Sequence, residues 1–301
     1  MPDVEHIYIA ASARDARFTR ICVASVRYFY PDVSIQLLVG GPLKPGLAEE
    51  LRRYWNVGVK NLPRRDYGWG FVKLEPLFEA RGGRFLVLDS DTVMAGPALE
   101  WAASDSSDFI VDDEQQTVEG IKSIYYDAQK SAQEGVPLPE PKFVFNSGQW
   151  VGVGGAIDRD AFDGLIKWGN PPKLANPRVF KNGEQGVLNF VLNQKAHAGA
   201  VGVARVPLMR WPGHGLEGLD VTRIASKKAA PCIIHWAGMK KARQSDMVGA
   251  DILRFFEGLY YQRLPLGTAR RLFAGCVHSL SHWRSELKTR IKLRSRLMFS
   301  R

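Results

Sequence analysis

Four apolar runs, HIYIAAS (6–12), SIQLLVGG (34–41), VGVKNLP (57–63) and FLVLDSDTV (85–93), are spaced through the first third of the chain by segments of helical character. The spacers are DARFTRICVASVRYFY (15–30), KPGLAEELRRYW (44–55), with Pro45 near its first turn, and FVKLEPLFEARGG (71–83). Apolar strands alternating with helices predict a Rossmann-like α/β fold, its mostly parallel sheet covered by helices on both faces. Ligands of such sheets bind beyond the carboxyl ends of the strands. The fourth run ends there, on Asp89 and Asp91.

Downstream, DFIVDD (108–113) reads as a short strand, followed by a polar, helix-like insertion from 114 to 135 and the Pro-rich link VPLPEPK. FVFNSGQWVGVGG (143–155) reads as a strand with AFDGLIKW (161–168) as a helix behind it. GEQGVLNFVLNQ is a predicted helix, VGVARVPL and PCIIHW are predicted strands, and the chain turns helical from Ser245. The expected organisation is one α/β domain over 1–244 and a helical basic extension over 245–301.

At 301 residues and 45% hydrophobic, the chain is long enough to bury a full core. No apolar run reaches the roughly 18 to 20 residues of a membrane span. The acidic start, with Asp3 and Glu5, does not fit an export signal. Cys22, Cys232 and Cys276 lack metal-site spacing and are expected to be reduced core thiols. A cytoplasmic location is the expectation. The net charge of +10 is concentrated at the end, where residues 262–301 hold ten Lys and Arg against Glu286 alone.

In an extended chain Asp89 and Asp91 face the same side. Two converging carboxylates repel unless a cation lies between them, so the pair either holds a divalent metal or caps the following turn. DSDTV also fits the nucleophile motif of haloacid dehalogenase-like phosphatases. That motif belongs on the first strand of its fold, whereas more than eighty residues of α/β pattern precede it here.

Four segments in order, GGRFLVLDSDTVMAGP, FNSGQWVGVGG, GEQGVLN and HWAGMKK, resemble the motifs of GT-A glycosyltransferases, most closely glycosyltransferase family 8. The resemblance spans residues 6 to about 243. It implies a UDP-sugar donor and a Mn²⁺ or Mg²⁺ ion held by Asp89, Asp91 and His235. It places the base and ribose near Ala10 and Ser12, and the diphosphate near Gly238 and Lys240 or Lys241. Lys73 and Ser90 would face the donor, and Asn146, Ser147, Glu184 and Gln185 its sugar. Asp89, Asp91, Glu184, Gln185 and Lys241 are the implied catalytic set. Glu184-Gln185-Gly186 stands where the family reads Asp-Gln-Asp, and Ala242-Arg243 where it reads Pro-Trp. Family members retain anomeric configuration, by front-side attack of the acceptor hydroxyl or through a carboxylate such as Glu184. A non-catalytic sugar-nucleotide binding module is the alternative that Gly186 raises.

On the acceptor side, a glycan or lipid-linked glycan, Trp211, His214 and Trp236 are candidates for a stacking wall, with 114–142 as a lid. Leu272, Cys276, Leu280, Trp283, Leu287 and Ile291 form an apolar stripe beside the basic cluster. Such a helix favours the interface of an anionic membrane over intramolecular packing, and both over nucleic acid, because no base-stacking motif accompanies the charge. The expected location is therefore cytoplasmic with peripheral membrane attachment through 265–301.

Overall fold

The computed structural model describes residues 4–68, 70–79, 82–239 and 242–277. The first half comprises β1 (Val4–Ala11), α1 (Ala16–Phe29), β2 (Ser34–Val39), α2 (Leu47–Trp55) and β3 (Val57–Val59). After them come β4 (Arg84–Asp89), β5 (Thr92–Met94), α3 (Leu99–Ala103) and β6 (Phe109–Asp112). Next are α4 (Val118–Ile124), α5 (Ala128–Gln133), β7 (Gln149–Val153), β8 (Ile166–Lys167), β9 (Lys173–Leu174) and α6 (Glu184–His197). The chain continues with β10 (Val203–Val206), β11 (Met209–Arg210), α7 (Val221–Ala225), β12 (Ile233–His235) and α8 (Ala250–Gln262).

Seven strands form the central sheet in the order β10-β6-β7-β4-β1-β2-β3. The pairings β1 with β2, β1 with β4, β2 with β3 and β6 with β10 are parallel; β7 runs antiparallel to both β4 and β6. The mostly parallel sheet is thus as expected. Its two faces carry separate apolar layers, one with α1 and α8 and the other with α6 and the segment 71–78. A small second sheet, β11-β12-β5, starts from the end of the central one.

Several elements differ from the sequence expectation. Pro45 lies outside α2, whose N-cap is Gly46 in the left-handed region at φ 76°. Residues 71–78 wind as a 3₁₀ helix with Pro76 inside it, not as the expected α-helix. AFDGLIKW is not an α-helix: Gly164 at φ +74° breaks it, leaving a 3₁₀ turn at Arg159–Phe162 and β8. Of 143–155 only β7 is strand. Upstream of it, Asn189 and Asn193 of α6 take over the backbone pairing. Asn189 accepts from Phe145 N–H and donates to Phe145 C=O, both at 2.9 Å. Asn193 accepts from Lys142 N–H and donates to Phe143 C=O, both at 2.8 Å. Cys22 and Cys232 are buried as expected, but Cys276 is exposed.

Beyond the boundary expected at residue 244, α8 packs on the α/β domain. Ile252, Leu253, Phe256 and Tyr260 of α8 belong to the same buried cluster as α1 and β1. Tyr260 stacks on Trp55 of α2 at 5.0 Å. The chain is helical again from 267 to 277.

Candidate active site

The site forms where β1 and β4 end side by side, with Ala10 in register with Asp89. The chain turns at Ser90 and Asp91 before β5, so the two carboxylates do not share one face of an extended strand. The turn buries Asp91, at 4% side-chain exposure, and leaves Asp89 more open at 26%. Thr92 Oγ1 closes this turn by donating to Asp89 C=O at 2.7 Å. β12 lies antiparallel to β5 with His235 opposite Thr92, and Trp236 N–H donates to Asp91 C=O at 2.9 Å.

This pairing brings His235 Nε2 to 3.5 Å from Asp91 Oδ1 and 3.9 Å from Asp89 Oδ2. One ligand atom from each of the three residues lies within 4.8 Å of the others. Two carboxylates and an imidazole nitrogen, mostly withdrawn from water, form a donor set that fits one divalent cation.

Lys73 stands against the same cluster and is buried, not a solvated helix lysine. Its ammonium lies 3.0 Å from Asp89 Oδ1 and 2.7 Å from Glu184 Oε1, and donates to Ser147 C=O at 3.0 Å. Burial would lower its pKa, but the Asp89 and Glu184 carboxylates outweigh that and raise it above the ordinary lysine value. Burial raises the Glu184 pKa, with Lys73 opposing and Asp89 adding to the rise. Ser147 Oγ donates to Glu184 Oε1 at 2.9 Å, and Ser147 N–H donates to Gln185 Oε1 at 3.1 Å. Glu184 fits because residue 70 is glycine, at φ +79°: a Cβ there would sit 1.6 Å from Glu184 Oε2.

Three cavities share walls around this cluster. One of about 610 Å³ runs past Ala10, Ser12, Asp15, Gly40 and Gly41 to Lys73 and Asp89. A second, of about 390 Å³, is lined by Lys73, Asp89, Asp91, Asn146, Ser147, Glu184, Gln185, His235 and Gly238. A third, of about 510 Å³, shares Ile124 and Asn146 with it and is bounded by Asp113, Glu114, Trp211 and His214.

All the predicted donor, metal and catalytic residues within the described region except Ser90 therefore line the first two cavities, while the acceptor candidates Trp211 and His214 line the third. Ser90 is buried and lines none of the three. Ser12 Oγ donates to Asp15 at 2.8 Å, so the acidic group at this end is Asp15. Lys240 and Lys241 lie outside the described residues. Trp236 is fully buried, its indole donating to Val248 C=O at 3.0 Å, and does not join the acceptor wall. The insertion is anchored by buried Tyr125 and Tyr126. Sequence reasoning missed Asp15, Gly70, Ile124, Asn182 and Gly148. Of these only Gly148 stands inside one of the four motifs, and only Asp15 carries charge.

The chain matches no protein-family model and no curated protein. Among solved structures it is similar to the galactosyltransferase LgtC in complex with donor and acceptor sugar analogs. The TM-score is 0.51 at 14% identity, over 85% of this chain and 95% of that one. An active-site mutant of LgtC gives 0.54 at 13% identity, over 84% and 95%. The bifunctional glycosyltransferase WbbM gives 0.53 at 14% identity, over 86% of this chain and half of that one. The fold is the GT-A fold, and DSDTV stands at the end of β4, not on the first strand where the dehalogenase-like phosphatase motif belongs.

Proposed function

We propose that this chain is a metal-dependent glycosyltransferase moving a hexose from a UDP-sugar to a hydroxyl of a glycan or lipid-linked glycan. The observation that carries this reading is the convergence of Asp89, Asp91 and His235 within 4.8 Å at the carboxyl end of the parallel strands. Beside it, a cavity of nucleotide size opens toward Ala10 and Ser12. These three residues would hold Mn²⁺ or Mg²⁺, which when bound supplies positive charge to the departing nucleotide diphosphate. Imidazole in the set favours Mn²⁺.

The base and ribose lie along Ala10 and Ser12, and the sugar enters the cavity of Asn146, Ser147, Glu184 and Gln185. Lys73 fixes Asp89 and Glu184 relative to each other without a change in its own charge. Glu184 is engaged by Lys73 and Ser147, both of which draw charge from it and blunt it as a nucleophile. That favours its role in orienting the sugar, with retention through front-side attack by an acceptor hydroxyl delivered from the Trp211 side. Gly238, at φ +75°, lets its loop approach the diphosphate closely, with Lys240 or Lys241 as the expected cation beyond it. The organisation we propose is a catalytic α/β domain over 1–244 with a helical basic extension from residue 245, whose first helix, α8, packs on that domain. Among the described residues no helix is long and apolar enough to cross a membrane. Exposed Leu272, Phe273 and Val277 support peripheral attachment to an anionic cytoplasmic membrane face.

The test is release of UDP from a panel of UDP-sugars, with and without Mn²⁺ and acceptor. Metal-dependent release that Asp91→Ala lowers at least about 100-fold is expected. Binding without release would identify a non-catalytic module. Undiminished release by Asp91→Ala would remove the metal site from the mechanism.

A further inference from the structure

His235 presents Nε2 to the two carboxylates, yet its other ring nitrogen, Nδ1, is buried without a hydrogen-bond partner among the described residues. Metal-binding histidines ordinarily have their ring plane set by a hydrogen bond from that second nitrogen. Here something else must set it. β11 runs parallel to β12 with Met209 opposite Ile233 and Arg210 opposite Ile234, so the next step along both strands brings Trp211 beside His235. The two rings are stacked, with centroids 5.5 Å apart and planes 18° from parallel. Gly148 crowds the imidazole edge: a Cβ there would lie 2.3 Å from His235 Cε1 and 2.7 Å from Nδ1. Trp211 also bounds the 510 Å³ cavity, and a bridge to His214 holds its backbone.

We propose that Trp211 is a positioning residue that fixes the imidazole of His235 for divalent-metal binding by stacking, where no described residue supplies the usual hydrogen bond. The inference rests on the metal site of the proposed function. The indole holds the plane from one face, and the absence of a side chain at Gly148 leaves room for the ring edge, with Nε2 facing Asp91. The same indole forms a wall of the acceptor-side cavity, so one side chain serves both halves of the site.

The experiment is Mn²⁺ titration of the full chain by electron paramagnetic resonance, in the presence of UDP, with metal-free folding checked by circular dichroism. Trp211→Leu should weaken Mn²⁺ binding roughly 10- to 100-fold. Trp211→Phe, which keeps a ring to stack, should restore most of the affinity. Spin-echo spectra should show imidazole-nitrogen coupling to Mn²⁺ in wild type and the Phe variant and lose it in the Leu variant. Gly148→Ala, acting from the ring edge, should weaken binding independently. Equal affinity in wild type and a folded Trp211→Leu overturns the inference while leaving the metal site standing. No Mn²⁺ binding by wild type overturns the metal site itself. Should Trp211→Leu fail to fold, Trp211→Gln, which keeps bulk but no ring, decides: wild-type affinity in that variant refutes the role.

Discussion

Gly186 shows how one residue can be misread from its neighbours in a motif. In sequence it looks like the loss of an acidic side chain. In the structure there is no room for one: a Cβ at this position would lie 2.2 Å from Tyr125 C=O and 2.8 Å from Lys181 C=O, both backbone. Gly186→Ala should therefore cost about 1–3 kcal/mol in urea unfolding, and an unchanged midpoint would show that the insertion yields there. Asp112 makes a second residue-scale case. Burial pushes its carboxyl up from 3.8 to about 6, against the hydrogen bond it accepts from Met209 N–H at 2.7 Å. A raised carboxyl pKa means the fold favours the neutral form. Its stability contribution is complete below about 3.8 and is lost as pH rises through about 6. Asp112→Asn keeps an acceptor but cannot ionise, so it should gain on wild type by on the order of 2 kcal/mol between pH 4 and 7. Parallel pH–stability curves for the two proteins would refute this.

Among the elements, α8 and α6 do more than their periodicity indicated. α8 docks through Phe256 and Tyr260 into the main core, and its Glu257 receives Arg17 of α1 at 2.7 Å. A chain ending at residue 244 should accordingly fail to fold cooperatively, and Phe256→Ala should cost about 3–5 kcal/mol. A truncated protein with an intact thermal transition would support an independent domain ending at residue 244. α6 was legible as a helix, but not its use of Asn189 and Asn193 to satisfy an irregular backbone segment. Asparagines four apart on a helix have many roles, and only packing against 142–145 selects this one. AFDGLIKW was misread because its apolar residues fit helical spacing while Gly164 adopts a left-handed conformation that spacing does not reveal.

For the whole molecule, the central sheet ends β1 and β4 side by side, and the small second sheet, which pairs β12 with β5, returns His235 to that end across nearly 150 residues. The opposite concentration of charge, at the end of the chain, sets a separate expectation. Flotation with anionic vesicles should capture the full chain and lose it when residues 265–301 are removed. Capture that survives this deletion would place the contact elsewhere.

The alternation of apolar runs and helices determined the mostly parallel sheet, because strand and helix periodicities are local features, while the candidate site residues came from the resemblance of DSDTV, FNSG, GEQG and HWAG to family motifs. The burial of Lys73 between two carboxylates, the turn that inserts Asp91, the backbone that excludes a side chain at Gly186 and the indole against His235 were decided only by tertiary structure. Each depends on which distant atoms share a volume, and no spacing within the chain encodes that.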